Sequence, residues 1–304
     1  MVAVAVAEWQ TNRLLNAGRV VVAFPFINFS THLVIIMKNE TEIKELVKEK
    51  YGQIAREGGS CGTSCCGDVT NIMADNYATL EGYNPDADLG LGCGLPTEFA
   101  KIKEGDVVID LGSGAGNDAF IARRIVGEAG RVIGIDITPS MIELANKNVA
   151  KLGYTNVEFR MGDIDNMPVK DNVADVIVSN CVLNLVPDKE KVIKEIYRTL
   201  KPGGHFSISD IVLQGALPDS IKKSAEMYAG CVSGAIQKGE YLNFIHGAGF
   251  ANVLVQKEKK IAVPDEVLLE YITPDALQTL KESKLGIYSI TVYAEKPFSA
   301  KGCC

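Results

Sequence analysis

Short apolar runs alternate with amphipathic segments through the middle of the chain, from about residue 106 to 211. The runs have the length of strands, and the segments between them place apolar residues at helical spacing. Such alternation of strand and helix predicts a parallel sheet covered by helices. The expected strands are 106–110, 131–135, 156–160, 174–179 and 205–211, and the expected helices are 117–126, 139–151 and 188–200.

The alternation stops after the fifth strand, so the rest of the chain is expected to form a smaller α+β region. Helical patterns lie at 218–230 and 238–247, and further strand patterns lie at 252–257 and 288–294. Because no helix-length connection is fixed between these two strands, we expect them to form an antiparallel edge of the sheet. The sequence Lys201–Gly204 predicts a turn before the fifth strand, since it contains proline and two glycines.

Upstream of the sheet, the pattern predicts one helix and two glycine-rich loops. Asn39 is expected to cap the helix, with Val47 and Tyr51 on its apolar face. The first loop, 58–67, carries three thiols, and the second loop, 89–96, precedes a short helix.

The first part of the chain differs in composition from the rest. The segment 20–37 is apolar but is interrupted by proline and polar residues, whereas a membrane span needs ~20 mostly apolar residues. The segment also lacks the small-residue cleavage site of a signal peptide. We therefore expect a natural start at Met37, with the residues before it a dispensable extension. A weak membrane anchor is the alternative.

Composition limits the classes of function. The chain has 304 residues, 47% of them hydrophobic, which is enough for a substantial core. A net charge of −7 provides no basic field for nucleic acid. Without a convincing signal peptide, the chain is expected in the reducing cytoplasm, where its eight cysteines would be thiols, ligands or redox groups.

The candidate chemistry centres on Asp110–Gly116, which joins the first strand to a helix. Glycines at such a turn adopt backbone angles that a Cβ forbids and let a ligand lie against the chain. Asp136 follows the next strand, where an acid can accept ribose hydroxyls. These features predict a site for NAD or S-adenosylmethionine. A dinucleotide site prefers two residues between its second and third glycines, whereas this chain has one residue between Gly114 and Gly116. The Asp110 carboxylate would also repel phosphates. Both observations favour S-adenosylmethionine over NAD.

The pattern resembles the class I S-adenosylmethionine-dependent methyltransferases, which implies a Rossmann-like, mostly parallel sheet with an antiparallel edge. By that resemblance, Asp136 would hold the ribose and Asp163 the adenine amine. Met141 and Ile164 would pack against adenine, although ordinary core packing explains them equally well. The methionine end would be held by Asp110, Gly112, Ser113, Gly114, Gly116 and Asn180.

The cysteines narrow the resemblance. Cys181 follows the fourth strand, and Cys231 lies beyond the fifth. With these residues the chain, from about Tyr51 to Val255, resembles the arsenite S-adenosylmethionine methyltransferases. The segments that carry the resemblance are Cys61–Cys66, Asn76–Tyr77, Leu89–Pro96, Asp110–Asp118, Ser179–Leu185 and Gly230–Ala235.

This resemblance implies that trivalent arsenic is held by thiols from three regions. The implied ligands are Cys181, Cys231 and at least one of Cys61, Cys65 and Cys66, with Cys66 and Cys61 favoured. Cys93, in the second glycine-rich loop, is not counted among them. The terminal pair, Cys303 and Cys304, either delivers arsenic or is a neutral tail.

The chemistry explains why thiols are needed. As(III) is soft and prefers sulfur to oxygen or imidazole. Three thiolates leave arsenic one free lone pair, which can attack the sulfonium methyl without a general base. The protein then has to align the reactants and exclude water, and such positioning can supply ~7–11 kcal/mol. The expected activity is methylation of arsenite or its thiol complex in arsenic detoxification, with glutathione or thioredoxin as reductant.

Other interpretations stay open at this point. Cysteine is often simply a small buried hydrophobic residue, and Cys61 with Cys65 and two distant thiols would also suit zinc. His32, His205 and His246 show no ligand spacing. The alternative functions are methylation of a small organic acceptor, such as a quinone or sterol, and a thiol-rich module that binds a metalloid.

The expected organisation has five parts. After the extension come an N-terminal helix with a cysteine-rich cap, a cofactor-binding domain, a substrate-binding region that completes the sheet, and a tail. No nucleic-acid or membrane partner is expected, and the sequence does not indicate an oligomeric state. The expected boundaries are 1–37, 38–100, 101–213, 214–298 and 299–304.

Overall fold

The computed structural model describes residues 40–57, 76–215, 234–261, 265, 269, 272–282 and 286–298. Five predictions lie outside these ranges and stay predictions. They concern the N-terminal extension, the helix cap at Asn39, the loop of Cys61, Cys65 and Cys66, the segment from the 218–230 helix to Cys231, and the tail with Cys303 and Cys304.

The elements in the described part of the chain follow the predicted alternation. The strands are β1 (Val107–Leu111), β2 (Arg131–Asp136), β3 (Val157–Met161), β4 (Ala174–Asn180), β5 (Leu200–Gln214), β6 (Ala251–Ile261) and β7 (Gly286–Glu295). The helices are α1 (Glu40–Glu57), α2 (Pro96–Phe99), α3 (Asn117–Val126), α4 (Pro139–Leu152), α5 (Lys189–Thr199), α6 (Lys238–Gly247) and α7 (Pro274–Glu282), with a 3-10 turn at Leu183–Leu185. Helix α7 was not expected from the sequence.

The strands form one sheet in the order β3-β2-β1-β4-β5-β7-β6. The first five of these are parallel, and β7 runs antiparallel to both β5 and β6. The predicted Rossmann-like sheet with an antiparallel edge is therefore confirmed. The chain order reverses direction between β1 and β4, and ligands of open α/β sheets bind at the carboxyl ends of strands at such a point.

Both faces of the sheet are buried at its central parallel strands, as that arrangement requires. Along β1, Val108 belongs to the apolar cluster that includes α1, α3 and α4 residues, whereas Ile109 belongs to the cluster that includes α5 and α6 residues. Both side chains are 0% exposed. This double-sided core fixes the carboxyl end of β1, where the glycine loop begins.

The prediction of a turn at Lys201–Gly204 needs correction, because β5 begins at Leu200 rather than at 205. The segment is an interruption within the strand, since the pairing with β4 jumps from Leu200 to His205. Gly203 has a φ of +83°, and its N–H donates to the Lys296 carbonyl at 2.8 Å. The glycine thus bends the chain without ending the strand.

Candidate active site

The glycine loop leaves β1 with three left-handed backbone conformations. Gly112, Gly114 and Gly116 have φ values of +64°, +50° and +100°. A Cβ on Gly116 would lie 2.8 Å from the Phe120 Cζ, and a Cβ on Gly112 would overlap Val182. Glycine is therefore required here for both backbone angle and space.

Asp136 ends β2 and fastens the loop. Its Oδ2 accepts a hydrogen bond from the Gly114 N–H at 2.9 Å, and its Oδ1 accepts one from the Thr138 N–H at 2.8 Å. Burial raises the pKa of Asp136, while these backbone donors oppose the rise. The carboxylate also lines the adjoining pocket, so it is placed to accept further hydrogen bonds there.

The pocket at the carboxyl ends of β1, β2 and β4 has a volume of about 1090 Å³, including its solvent-open mouth. Helix α1 contributes one wall of it through Lys44, Val47 and Tyr51. Gly116 does not line the pocket and instead precedes the first residue of α3. Nearly every predicted cofactor residue lines it: Asp110, Gly112, Ser113, Gly114, Asp136, Met141, Asp163, Ile164 and Asn180.

Two buried carboxylates give the pocket an acidic end. Burial raises the pKa of Asp110 well above its usual range, with a further contribution from Asp118, whose own pKa burial raises to about 6. Asp110 Oδ2 and Asp118 Oδ1 have no hydrogen-bond partner. Uncompensated buried carboxylate oxygens favour a cationic ligand group. The ammonium and sulfonium groups of S-adenosylmethionine fit this end of the pocket.

Tyr77 and Asn180 bracket the same acidic end. The Tyr77 hydroxyl donates to Asp118 Oδ2 at 2.9 Å, and the Asn180 amide donates to the Gly94 carbonyl at 2.8 Å and also contacts the Tyr77 hydroxyl. Tyr77 was not among the predicted site residues. The sequence did contain a signal for it, because Asn76–Tyr77 is one of the segments that carry the family resemblance.

Cys181 is the predicted thiol that the structure places at the pocket. Its side chain lines the pocket and is 5% exposed. The residue has a φ of +61°, and its N–H donates to the Ser209 carbonyl at 2.8 Å. A non-glycine residue in this region costs about 1–3 kcal/mol, and such strain is concentrated at functional sites.

Cys93, which was not counted as a ligand from the sequence, is hydrogen-bonded to the residue that precedes Cys181. The Cys93 N–H donates to Asn180 Oδ1 at 3.0 Å. Both thiols add to the rise that burial causes in the pKa of Tyr241 on α6. Cys93 and Cys181 are both present as thiols rather than in a disulfide. Cys93 is 0% exposed and, unlike Cys181, is not among the residues that line the pocket.

A further buried polar group lies on β5, directly after the residue whose carbonyl accepts from the Cys181 N–H. Asp210 follows Ser209 on β5 and is 0% exposed, and its Oδ1 accepts from the Ile211 N–H at 2.9 Å. Burial raises the pKa of Asp210 to about 7, while Lys189 and Tyr241 oppose the rise. Asp210 is therefore a carboxyl group that changes its charge near neutral pH.

Metal binding can be judged only within the described ranges. There, three or more His, Cys, Asp or Glu side chains never converge in an arrangement that would hold a metal ion. His205 instead contacts the Ala100 carbonyl through Nε2 at 2.6 Å. The thiols that a zinc site would use, including Cys61, Cys65 and Cys231, lie outside the described residues.

The strand order, the glycine loop after β1 and the acid at the end of β2 define a class I S-adenosylmethionine-dependent methyltransferase. A methyltransferase-domain family matches residues 102–249. The arsenite methyltransferase of Halobacterium salinarum is 40% identical over 279 residues, covering 86% of this chain and 68% of that protein. That of Aquipseudomonas alcaligenes is 33% identical over 74% of this chain and 67% of its own length. The chain belongs to the arsenite methyltransferase family.

A solved structure agrees with this assignment. The crystal structure of an arsenic(III) S-adenosylmethionine methyltransferase from Chlamydomonas reinhardtii is similar, with a TM-score of 0.58 and 33% identity. The match covers 69% of this chain and 68% of that chain. Among the residues described here, no helix is both long and apolar enough to cross a bilayer.

Proposed function

We propose that the protein methylates trivalent arsenic that is bound by its cysteine thiolates, with S-adenosylmethionine as methyl donor. The observation that carries the proposal is Cys181, a strained and nearly buried thiol on the wall of the pocket that suits the donor. Membership of the arsenite methyltransferase family supports the choice of substrate.

Different residues of the pocket would bind different parts of the cofactor. Asp136 would accept from the ribose hydroxyls, and Asp163 from the adenine amine, with Met141 and Ile164 as apolar walls. When bound, S-adenosylmethionine supplies an electrophilic methyl group on a sulfonium. The residues of the acidic end would compensate its positive charge and orient it: Asp110, Gly112, Ser113, Gly114, Asp118 and Asn180.

The substrate would be held by sulfur. We assign Cys181 and Cys231 as ligands, together with Cys66 or its neighbours Cys61 and Cys65. The position of Cys93 next to Asn180 adds it to the candidates. Thiolates suit As(III) because it is soft, and the remaining lone pair needs no base to become nucleophilic.

The chain's own contribution would be alignment. The strand pair β4–β5 and the Asn180 side chain hold Cys181 and the loop of Cys93 close together at the pocket. Positioning of this kind lowers a barrier without proton transfer. A cytoplasmic detoxification role with an external thiol reductant, glutathione or thioredoxin, completes the proposal.

Arsenic speciation tests this function. The purified protein is incubated with arsenite, S-adenosylmethionine and glutathione, and methylated arsenic is separated by chromatography with mass detection. Wild type should yield methylated arsenic, whereas Cys181→Ser and Cys231→Ser should lose at least tenfold of the yield. The double variant Cys303→Ser/Cys304→Ser, which alters thiols outside the proposed set, is the matched control.

Each alternative gives a distinct result. A thiol-rich binding module would retain arsenic without releasing S-adenosylhomocysteine. A methyltransferase for a quinone or sterol would methylate such an acceptor in the serine variants as well as in wild type. Undiminished arsenic methylation by Cys181→Ser would contradict the proposed thiolate site.

A further inference from the structure

One lysine of α1 connects that helix to the far end of the cofactor pocket. The Lys44 ammonium lies 2.7 Å from Asp163 Oδ2, 2.7 Å from Asp165 Oδ2 and 2.8 Å from Glu40 Oε1. Lys44 and Asp163 both line the pocket. Because 119 residues separate Lys44 from Asp163 in the sequence, their contact depends on the tertiary fold and not on local chain connectivity.

The carboxylates depend on this cation. Asp165 is 3% exposed, and besides Lys44 it has only one other cation nearby in the described chain, Lys191 at 3.4 Å. Partial burial acts to lower the pKa of Lys44, but its three carboxylate partners outweigh this effect and raise the pKa. Without Lys44, two adjacent carboxylates of one turn would repel each other in a partly desolvated place.

The turn that carries Asp163 is held from two sides. Asp163 Oδ1 accepts the Asp165 N–H at 3.2 Å, while Oδ2 faces Lys44. A carboxylate oxygen has room for more than one hydrogen bond, so Asp163 keeps acceptor capacity toward the pocket. The contacts to the Asp165 N–H and to Lys44 together fix the orientation of the Asp163 carboxylate toward the pocket.

Helix α1 is also seated by other contacts at the same pocket. Val47 and Tyr51, on the same helix as Lys44, line the pocket, and the Gly52 carbonyl accepts from the Ser140 hydroxyl at 3.4 Å at the start of α4. The Lys44 contacts and the Gly52 contact therefore fix two separate points of the helix over the pocket.

We infer that Lys44 is a positioning residue for the cofactor: it orients the Asp163 carboxylate and ties α1 over the adenine end of the pocket. The inference rests on the proposed role of Asp163 as the acceptor of the adenine amine. Lys44 would act through Asp163 rather than by touching the reacting atoms. Its removal should weaken cofactor binding and leave the chemical step unchanged.

The test measures S-adenosylhomocysteine binding by calorimetry, without arsenic, so that failure of the proposed arsenic chemistry does not affect it. Lys44→Met should weaken binding about tenfold, since a partly buried charge pair is lost. Lys44→Arg should keep binding within about threefold of wild type because it retains the charge. Lys48→Met is the matched control, since Lys48 lies one turn along α1, pairs with Glu45 and does not line the pocket.

Two further measurements separate positioning from general support of the fold. In steady-state assays, Lys44→Met should raise the KM for S-adenosylmethionine about tenfold with kcat within twofold. In an Asp163→Asn background, the effect of Lys44→Met on binding should shrink to less than threefold. Binding by Lys44→Met equal to that of Lys48→Met, or a full tenfold loss persisting in the Asp163→Asn background, would overturn the inference.

Discussion

The side chain of Asn180 joins the end of β4 to the loop of Cys93: Asn180 Oδ1 accepts from the Cys93 N–H at 3.0 Å, and Nδ2 donates to the Gly94 carbonyl at 2.8 Å. The Asn180 side chain therefore satisfies backbone groups of the loop that have no strand partner in the sheet. Because Cys181 directly follows Asn180, the same contact sets the relation between the two described thiols. Asn180 therefore belongs to both the proposed cofactor site and the proposed thiol site.

Replacement of Asn180 by alanine should affect both stability and cofactor binding. The partly buried hydrogen bonds of Asn180 to the Cys93 N–H, the Gly94 carbonyl and the Tyr77 hydroxyl are lost. Because the backbone partners are left unsatisfied, the free energy of unfolding should fall by about 2–3 kcal/mol. S-Adenosylhomocysteine binding should weaken about tenfold because the loop no longer holds its place beside Tyr77. Urea unfolding and calorimetry measure the two effects.

Asn156→Ala is the control for this prediction. Asn156 likewise bridges backbone, donating to the Gly127 and Gly130 carbonyls at 2.9 and 2.8 Å, but it precedes β3 at the opposite end of the sheet. It should lose comparable stability and keep cofactor affinity. Equal loss of affinity in both variants would contradict a specific role for Asn180.

Cys93→Ala tests whether the second described thiol binds substrate. Its burial means that a small apolar replacement is tolerated, at a cost of about 1 kcal/mol. Arsenic methylation should fall at least tenfold, whereas S-adenosylhomocysteine affinity should stay within threefold. Wild-type methylation by Cys93→Ala would restore the original sequence-based exclusion of this residue.

Asp136→Asn should weaken cofactor binding strongly. The asparagine amide cannot accept from both the Gly114 and Thr138 N–H groups and the ribose as well. Charged hydrogen bonds contribute about 1.5–3 kcal/mol each, so calorimetry should show S-adenosylhomocysteine affinity reduced by roughly 10–100-fold.

Asp175→Asn provides the comparison for Asp136. Asp175 also accepts a backbone N–H, from Val107 at 2.9 Å, but at the amino end of the sheet, away from the pocket. Its cofactor affinity should match wild type. An affinity of Asp136→Asn indistinguishable from that of Asp175→Asn would exclude Asp136 from the site.

Local pattern was sufficient for most elements. Helix α3 occupies the predicted 117–126, because the glycine loop before it and Gly127 after it mark both ends. The β5 interruption was misread as a turn because a glycine at positive φ signals a bend but not whether pairing resumes. Whether strand pairing resumes after the bend depends on β4 and β7, which are separate segments of the sequence.

The site was predictable where one motif supplies it, and less so where separate elements meet. Asp110 and Asp136 follow from strand–loop spacing, since each ends a strand beside the glycine loop. The proposed roles of Tyr77, Lys44 and Cys93 rest on contacts with Asp118, Asp163 and Asn180, respectively. No periodicity connects residues that far apart, so local pattern could not assign these contacts, although Tyr77 and Cys93 both lie in segments that carried the family resemblance.

Asp210 gives the last prediction, which concerns pH. Its folded pKa of about 7 exceeds the ordinary value of 3.8, so the folded state holds an extra proton between these values. Stability is therefore greatest below the ordinary value, falls as pH rises toward about 7, and levels off above it. Asp210→Asn removes this dependence and should gain on the order of 2–4 kcal/mol relative to wild type between pH 5 and pH 8, measured by urea unfolding. The exposed control Glu128→Gln should keep the wild-type pH profile. If Asp210→Asn and wild type show parallel profiles, the Asp210 carboxyl does not change its charge in this range.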